Sequence, residues 1–234
     1  MFQNNKTSTS DPCTGRLLEF FEICINQLLY LNKIYPNGVF TKKQKYGVPI
    51  NSCDHPLLRD YVKKCLLTAQ DLLKNGELSK LVVVFISQDG KPLRRICFDL
   101  ERVQLQAAMC KDNLTRLELQ LRDALLRLSV CDRQLPPIPE GCTFKILLET
   151  SEDSYLKMCQ SCSTKAQYEF LWVQSKERSH ENYLVPISSV ECANCDFQIF
   201  AQEEKKDSDM LSTSDFPNIE AGGSTVLSDV SEEY

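Results

Sequence analysis

Leu81-Val82-Val83-Val84-Phe85-Ile86 is an unbroken run of apolar and mostly β-branched side chains, too short for a helix, followed by Asp89-Gly90. Beyond that turn signal the apolar pattern resumes at Leu93, Ile96, Phe98 and Leu100. The two stretches read as a β-hairpin containing a central strand, and the rest of the chain is read around it.

Three segments have helical spacing. From about Gly15 to Tyr30, Leu17, Leu18, Phe21, Cys24, Ile25, Leu28 and Leu29 recur at three- and four-residue steps, giving a helix that is apolar over a broad face. It ends before Tyr35-Pro36-Asn37-Gly38, after which Val39-Phe40 and Tyr46-Gly47-Val48-Pro49-Ile50 suggest short extended pieces. His55-Pro56 opens a second helix, with Leu57, Leu58, Tyr61, Val62, Cys65, Leu66, Leu72 and Leu73 as its buried side, and Asn75-Gly76 closes it. A third spans about Leu105 to Cys131, with Leu114, Leu117, Leu121, Leu125 and Leu128 on one stripe, and Pro136-Pro137-Ile138-Pro139 stops it.

Thr143 to Leu148 is a further strand. A polar stretch from Ser151 to Lys165 follows, then three strand-like pieces, Tyr168 to Val173, Tyr183 to Ile187 and Asp196 to Ala201, which read as peripheral strands. The fold class is therefore α+β, with three helices on one face of a mostly antiparallel sheet. Residues 14–202 form one domain, and 1–13 and 203–234 are expected to be disordered.

Charge supports that division. The net charge is -5, but residues 203–234 hold nine acids against two lysines, leaving about +2 on residues 1–202 by subtraction. A near-neutral folded part has no general electrostatic grip on nucleic acid, and Lys42-Lys43-Gln44-Lys45 reads as a solvated face. No direct tight DNA binding is expected. Apolar runs fall short of the roughly 18 residues needed to span a bilayer, and the polar start suggests no secretion signal, so an intracellular, membrane-free protein is expected.

Twelve cysteines then read as buried thiols or metal ligands rather than a disulfide framework. Cys24, Cys65, Cys97, Cys110, Cys131 and Cys142 lie in helix- or strand-like patterns and are assigned to core packing. Cys159-Gln160-Ser161-Cys162 and Cys192-Ala193-Asn194-Cys195 have the spacing of a four-cysteine zinc site, because two thiolates three residues apart can reach one tetrahedral ion. The long interval between the pairs argues against it, and the working expectation is no bound metal and no cofactor. Two histidines, no phosphate-cradling glycine cluster and no G-x-S-x-G leave an enzyme without support. Trp172, the single tryptophan, is either satellite packing or an aromatic anchor for a captured peptide.

Several segments carry a family likeness: Leu18-Glu19-Phe20-Phe21-Glu22, Ile34-Tyr35-Pro36-Asn37-Gly38-Val39-Phe40, Lys45-Tyr46-Gly47-Val48-Pro49, Ser129-Val130-Cys131-Asp132 and Gly141-Cys142-Thr143-Phe144. Collinear from about residue 14 to 202, the chain resembles the HORMA-domain accessory subunits of DNA polymerase zeta. That resemblance implies a non-catalytic adaptor whose C-terminal safety belt, about residues 151–202, wraps over an extended partner peptide and adds it to the sheet as a strand. The implied partner is a proline-containing peptide of the polymerase's catalytic subunit, flanked by Tyr61 and Trp172.

By the same resemblance Leu184, Gln198 and Phe200 dock the C-terminal domain of the scaffold deoxycytidyl transferase, with Phe200 standing where the family often has Tyr. Arg122 serves pairing with a second copy or another HORMA protein. The implied setting is translesion synthesis and DNA repair in the nucleus, extending to the cytoplasm and spindle. The alternatives are a mitotic checkpoint regulator that binds an activator of the anaphase ubiquitin ligase, and a module stabilised by zinc at Cys159, Cys162, Cys192 and Cys195.

Overall fold

The computed structural model describes residues 12–104, 111–151, 153–154, 156, 182–192 and 195–204. The chain divides into two units, Met1–Glu204 and Lys205–Tyr234, and every described residue lies in the first. The elements run α1 (Pro12–Leu31), β1 (Phe40–Lys45), β2 (Val48–Cys53), α2 (Pro56–Lys74), β3 (Leu78–Ile86), β4 (Pro92–Asp99), α3 (Lys111–Leu128), β5 (Thr143–Thr150), β6 (Asn182–Val190) and β7 (Phe197–Glu204).

Five strands form one antiparallel sheet in the order β5-β3-β4-β7-β6, and β1 pairs with β2 in a separate ribbon. Leu81, Val83 and Phe85 of β3 point with Ile96 and Phe98 of β4 into the core shared with the helices, whereas Val82, Val84 and Cys97 form a second buried cluster with Ile86, Leu147 and Phe200. Strand neighbours alternate between faces. The apolar run is continuous because β3 is buried on both faces.

Helix α1 lies at the centre of the core. Phe21 meets Phe98 of β4 edge-on at 5.5 Å, and Phe20 and Phe21 both contact Phe197 of β7. The polar residues Asn26 and Gln27 are also buried, and their carbonyl oxygens accept from the N–H groups of Cys53 and Asn51, each at 3.1 Å. Buried amides thus fasten the β1–β2 ribbon to the helix instead of standing unpaired. The ribbon turns through Tyr46 and Gly47, both at positive φ, as a two-residue hairpin loop matching strand twist requires. No helix among the described residues is long and apolar enough to cross a membrane.

Four details depart from the sequence reading. Helix α1 begins at Pro12, where proline's missing N–H costs nothing in a first turn. Helix α3 ends at Leu128, and Cys131–Arg133 forms a separate 3₁₀ turn; Val130 has left helical geometry well before the prolines. Leu57 is exposed, because the face of α2 that meets the core is carried at helical spacing by Leu58, Val62, Cys65, Ala69 and Leu72, and Leu57 lies off it. The last strand, β7, is interior, not peripheral: it pairs with β4 on one side and β6 on the other and buries Phe197, Ile199 and Ala201.

Candidate functional site

Among the described residues β5 pairs only with β3, so its other edge presents unpaired backbone. The N–H of Ile146 donates to the Tyr61 hydroxyl at 3.0 Å and therefore points away from β3. By the two-residue period, Phe144 and Leu148 present their backbone groups toward the same free edge. Helix α2 places Tyr61 there because a helix facing a sheet directs its half-buried side chains at the sheet's margin. The Tyr61 ring stands edge-on to Phe144 at 5.8 Å, and Phe144 stands edge-on to Tyr35 at 6.2 Å. Burial, with Cys65 and Tyr35 as further neighbours, pushes the Tyr61 phenol up to about 12. It stays a neutral hydroxyl at physiological pH.

The result is a strand edge with three aromatic rings beside it and one backbone donor already capped. Chemically it can accept an extended chain through main-chain hydrogen bonds, with the rings available to apolar or proline side chains. Of the expected aromatic pair, Tyr61 is at this edge, and Trp172 lies outside the described residues. Tyr35 and Phe144 were not singled out from sequence as site residues, although both stand in the segments that carry the family likeness.

The opposite edge is β6. Cross-strand register sets Leu184 against Gln202, Pro186 against Phe200 and Ser189 against Gln198. Paired residues share a face, so Leu184, Gln198 and Phe200 come together on the side of the sheet away from the helices. Leu184 and neighbouring Tyr183 are exposed, Gln198 is exposed, and Phe200 is half-buried against Val82, Val84 and Cys97. Arg122 is exposed on α3 between the exposed Leu119 and Leu126, and its guanidinium lies against Gly47 of the ribbon turn.

The cysteines divide. Cys24, Cys65, Cys97, Cys131 and Cys142 are buried, as expected, and Cys110 lies outside the described residues. Cys192 and Cys195 are buried too, and the Cys195 thiol is pushed far up by a hydrogen bond with Cys13 and by burial. Their expected partners Cys159 and Cys162 lie outside the described residues. Among the described residues no group of three metal-ligating side chains is arranged to hold an ion.

Sequence reading also missed Arg94. This buried arginine donates to Glu203 at 2.6 Å, to Asn32 Oδ1 at 3.1 Å and to the Pro136 carbonyl, tying β4, β7 and the end of α1 together. The signal that could have marked it is the charged pair Arg94-Arg95 set between Leu93 and Ile96 in a strand that also holds Cys97 and Phe98.

No family model matches the chain. It is 32% identical over 195 residues to the mitotic spindle assembly checkpoint protein MAD2B of Danio rerio, covering 82% of this chain and 91% of that protein. It is 29% identical over 182 residues to DNA polymerase zeta subunit 2 of Drosophila melanogaster, covering 75% and 89%. Among solved structures, a chain of the mitotic checkpoint complex matches with a TM-score of 0.67 at 22% identity, over 82% of this chain and 99% of that one. C. elegans HTP-2 bound to the HIM-3 closure motif matches with a TM-score of 0.61 at 11% identity, over 84% and 92%. The structural likenesses establish the shared fold.

Proposed function

Because the chain belongs to the HORMA-domain family of MAD2B and the accessory subunits of DNA polymerase zeta, a family of non-catalytic proteins, we propose that it is an adaptor that captures an extended partner peptide as a sixth strand on β5. The observation that supports this reading is the β5 edge that has no strand partner among the described residues, where Tyr61 caps the Ile146 N–H beside the rings of Phe144 and Tyr35. HTP-2, which shares the fold, is bound to a closure motif in its own structure.

The peptide is a proline-containing segment of the catalytic subunit of DNA polymerase zeta, held by Tyr61 and Trp172 and enclosed by the belt at about 151–202. The second surface, Leu184, Gln198 and Phe200, docks the scaffold deoxycytidyl transferase, so the protein bridges two polymerases in translesion synthesis in the nucleus. The exposed Arg122 face on α3 serves pairing with a second HORMA domain. A second reading, a checkpoint role in which the same edge captures an activator of the anaphase ubiquitin ligase, is favoured by the names of the MAD2B relatives.

Calorimetry with a proline-containing peptide of the catalytic subunit tests the reading. Tyr61→Ala should weaken binding by about 2 kcal/mol, as truncation of a buried aromatic anchor does. Leu148→Pro, which deletes an N–H facing the free edge, should abolish it, since proline is tolerated on an edge but cannot donate. Binding unchanged in both variants would remove β5 as the site. Leu184→Ala should instead lose the scaffold polymerase and keep the peptide.

A further inference from the structure

On the face of the sheet away from the helices, cross-strand register lines side chains up in rows that span all five strands. One row is Leu147, Val82, Cys97, Phe200 and Pro186, and it is apolar throughout. On one side of it run Lys145, Val84, Arg95, Gln202 and Leu184, and on the other Glu149, Lys80, Asp99, Gln198 and Ser189. The surface assigned to scaffold docking, Leu184, Gln198 and Phe200, occupies only β6 and β7 of these rows. Neighbouring strands lie about 4.8 Å apart, so two of them present a strip about 10 Å wide. A specific interface takes roughly 800 Å² from each partner. A domain seated on β6 and β7 therefore reaches over the next strand, β4, where Arg95 and Asp99 stand half-buried on either side of the buried Cys97.

Arg95 reaches in the other direction. Its Nη2 donates to Glu149 Oε1 of β5, two strands away, at 2.5 Å. Arg95 is opposite Val84 and Glu149 is opposite Lys80, so the line between them passes over Val82, which is fully buried although the cluster around it comes entirely from strands. The apolar stem of the arginine covers the apolar row at this point. The guanidinium is incompletely satisfied: Nε is buried without an acceptor, while 34% of the side chain remains exposed. A carboxylate offering both oxygens would satisfy it better than the single contact with Glu149.

We propose that Arg95 is a specificity residue of the scaffold-docking face: the docked domain lies across β4 as well as β6 and β7, and it presents a carboxylate that draws Arg95 away from Glu149. This rests on the reading of Leu184, Gln198 and Phe200 given above. Arg95 shares its row with Leu184, with Gln202 between them, so one domain covers both. Departure of the guanidinium from Glu149 also uncovers Val82 and lengthens the apolar row open to the partner.

Calorimetry of the full-length chain with the C-terminal domain of the scaffold deoxycytidyl transferase tests this. Arg95→Met keeps an apolar stem and removes the charge, and it should weaken docking about tenfold while circular dichroism shows the fold intact. Glu149→Gln should act in the opposite direction, tightening docking about threefold, because the guanidinium no longer leaves an ionised partner. Lys145→Met removes the same charge from the same row, on β5 and outside the footprint, and should change nothing. Equal weakening by Arg95→Met and Glu149→Gln would mean that the ion pair only braces the sheet, and would overturn the proposal. Unchanged docking in Arg95→Met, or equal weakening by Lys145→Met, would overturn it too. If Arg95→Met unfolds, the sign of the Glu149→Gln effect decides. Failure of the underlying reading looks different: Leu184→Ala would dock as the wild type does, or the wild type would not dock at all, and the proposal would fall with it.

Discussion

The two edge strands of the sheet start from the same backbone chemistry and are finished differently. Strand β6 carries Pro186 in its middle and an irregular register between Pro186 and Ser188. Proline and bulges both spoil an edge for further pairing, and β6 is blunted by each. Strand β5, eight residues long, keeps regular register with β3 over the seven from Thr143 to Glu149 and contains no proline. Its one capped donor is satisfied by a tyrosine hydroxyl, which a side chain's rotation can withdraw. Among the described residues, one sheet therefore holds a protected edge that presents side chains and an edge without a strand partner that presents backbone. The first suits docking of a folded domain, the second strand addition.

The largest test of this contrast is Arg94→Ala. Glu203 would be left largely buried without its cationic partner, and breaking a buried ion pair by removing one partner costs about 3–5 kcal/mol. Thermal unfolding should register that loss, and hydrogen exchange should loosen β6 and β7 more than β5. A loss under about 1 kcal/mol, the range of an exposed pair, would mean that the protected edge is held elsewhere.

Tyr61→Phe sharpens the other side. It keeps the ring against Phe144 and deletes the hydroxyl, so the Ile146 N–H loses its partner at a cost of about 1 kcal/mol. Amide exchange at Ile146 should quicken in the free protein and be suppressed again when peptide is bound. Equal exchange in the two free proteins would show that the hydroxyl caps nothing in solution.

Pro186→Val should have the smallest effect on stability, within about 0.5 kcal/mol for a substitution on a solvent-facing edge. Its consequence is association, because position 186 of β6 regains a backbone donor. In an Arg122→Ala background, which removes pairing through α3, sedimentation should reveal a concentration-dependent dimer that the same protein with Pro186 lacks at the same concentration. If the variant stays monomeric up to millimolar concentration, proline is not what protects this edge.

The helices and the first hairpin were legible because their signals are local. Leu17, Phe21, Cys24 and Leu28 repeat at the helical period, and the Leu81–Ile86 run followed by Asp89-Gly90 needs no distant information. The short alternation in Phe197-Gln198-Ile199-Phe200-Ala201 likewise identified a strand and its two faces. It could not say that β7 would stand between β4 and β6, because period tells which side chains share a face and not which strand lies alongside.

The site divides along the same line. Sequence brought Tyr61, Leu184, Gln198, Phe200 and Arg122 forward only through a family likeness, and no composition or spacing rule assigns them a role. What makes Tyr61 part of an edge is a hydrogen bond to a residue 85 positions away, and what ties β7 to β4 beyond their backbone pairing is Arg94 and Glu203 at a separation of 109. Local periodicity determined the elements, since burying an apolar face depends on side chains a few residues apart. Which polar groups met, and which strands became neighbours, depended on how those elements packed, because a hydrogen bond is formed by neighbours in space and leaves no period in the chain.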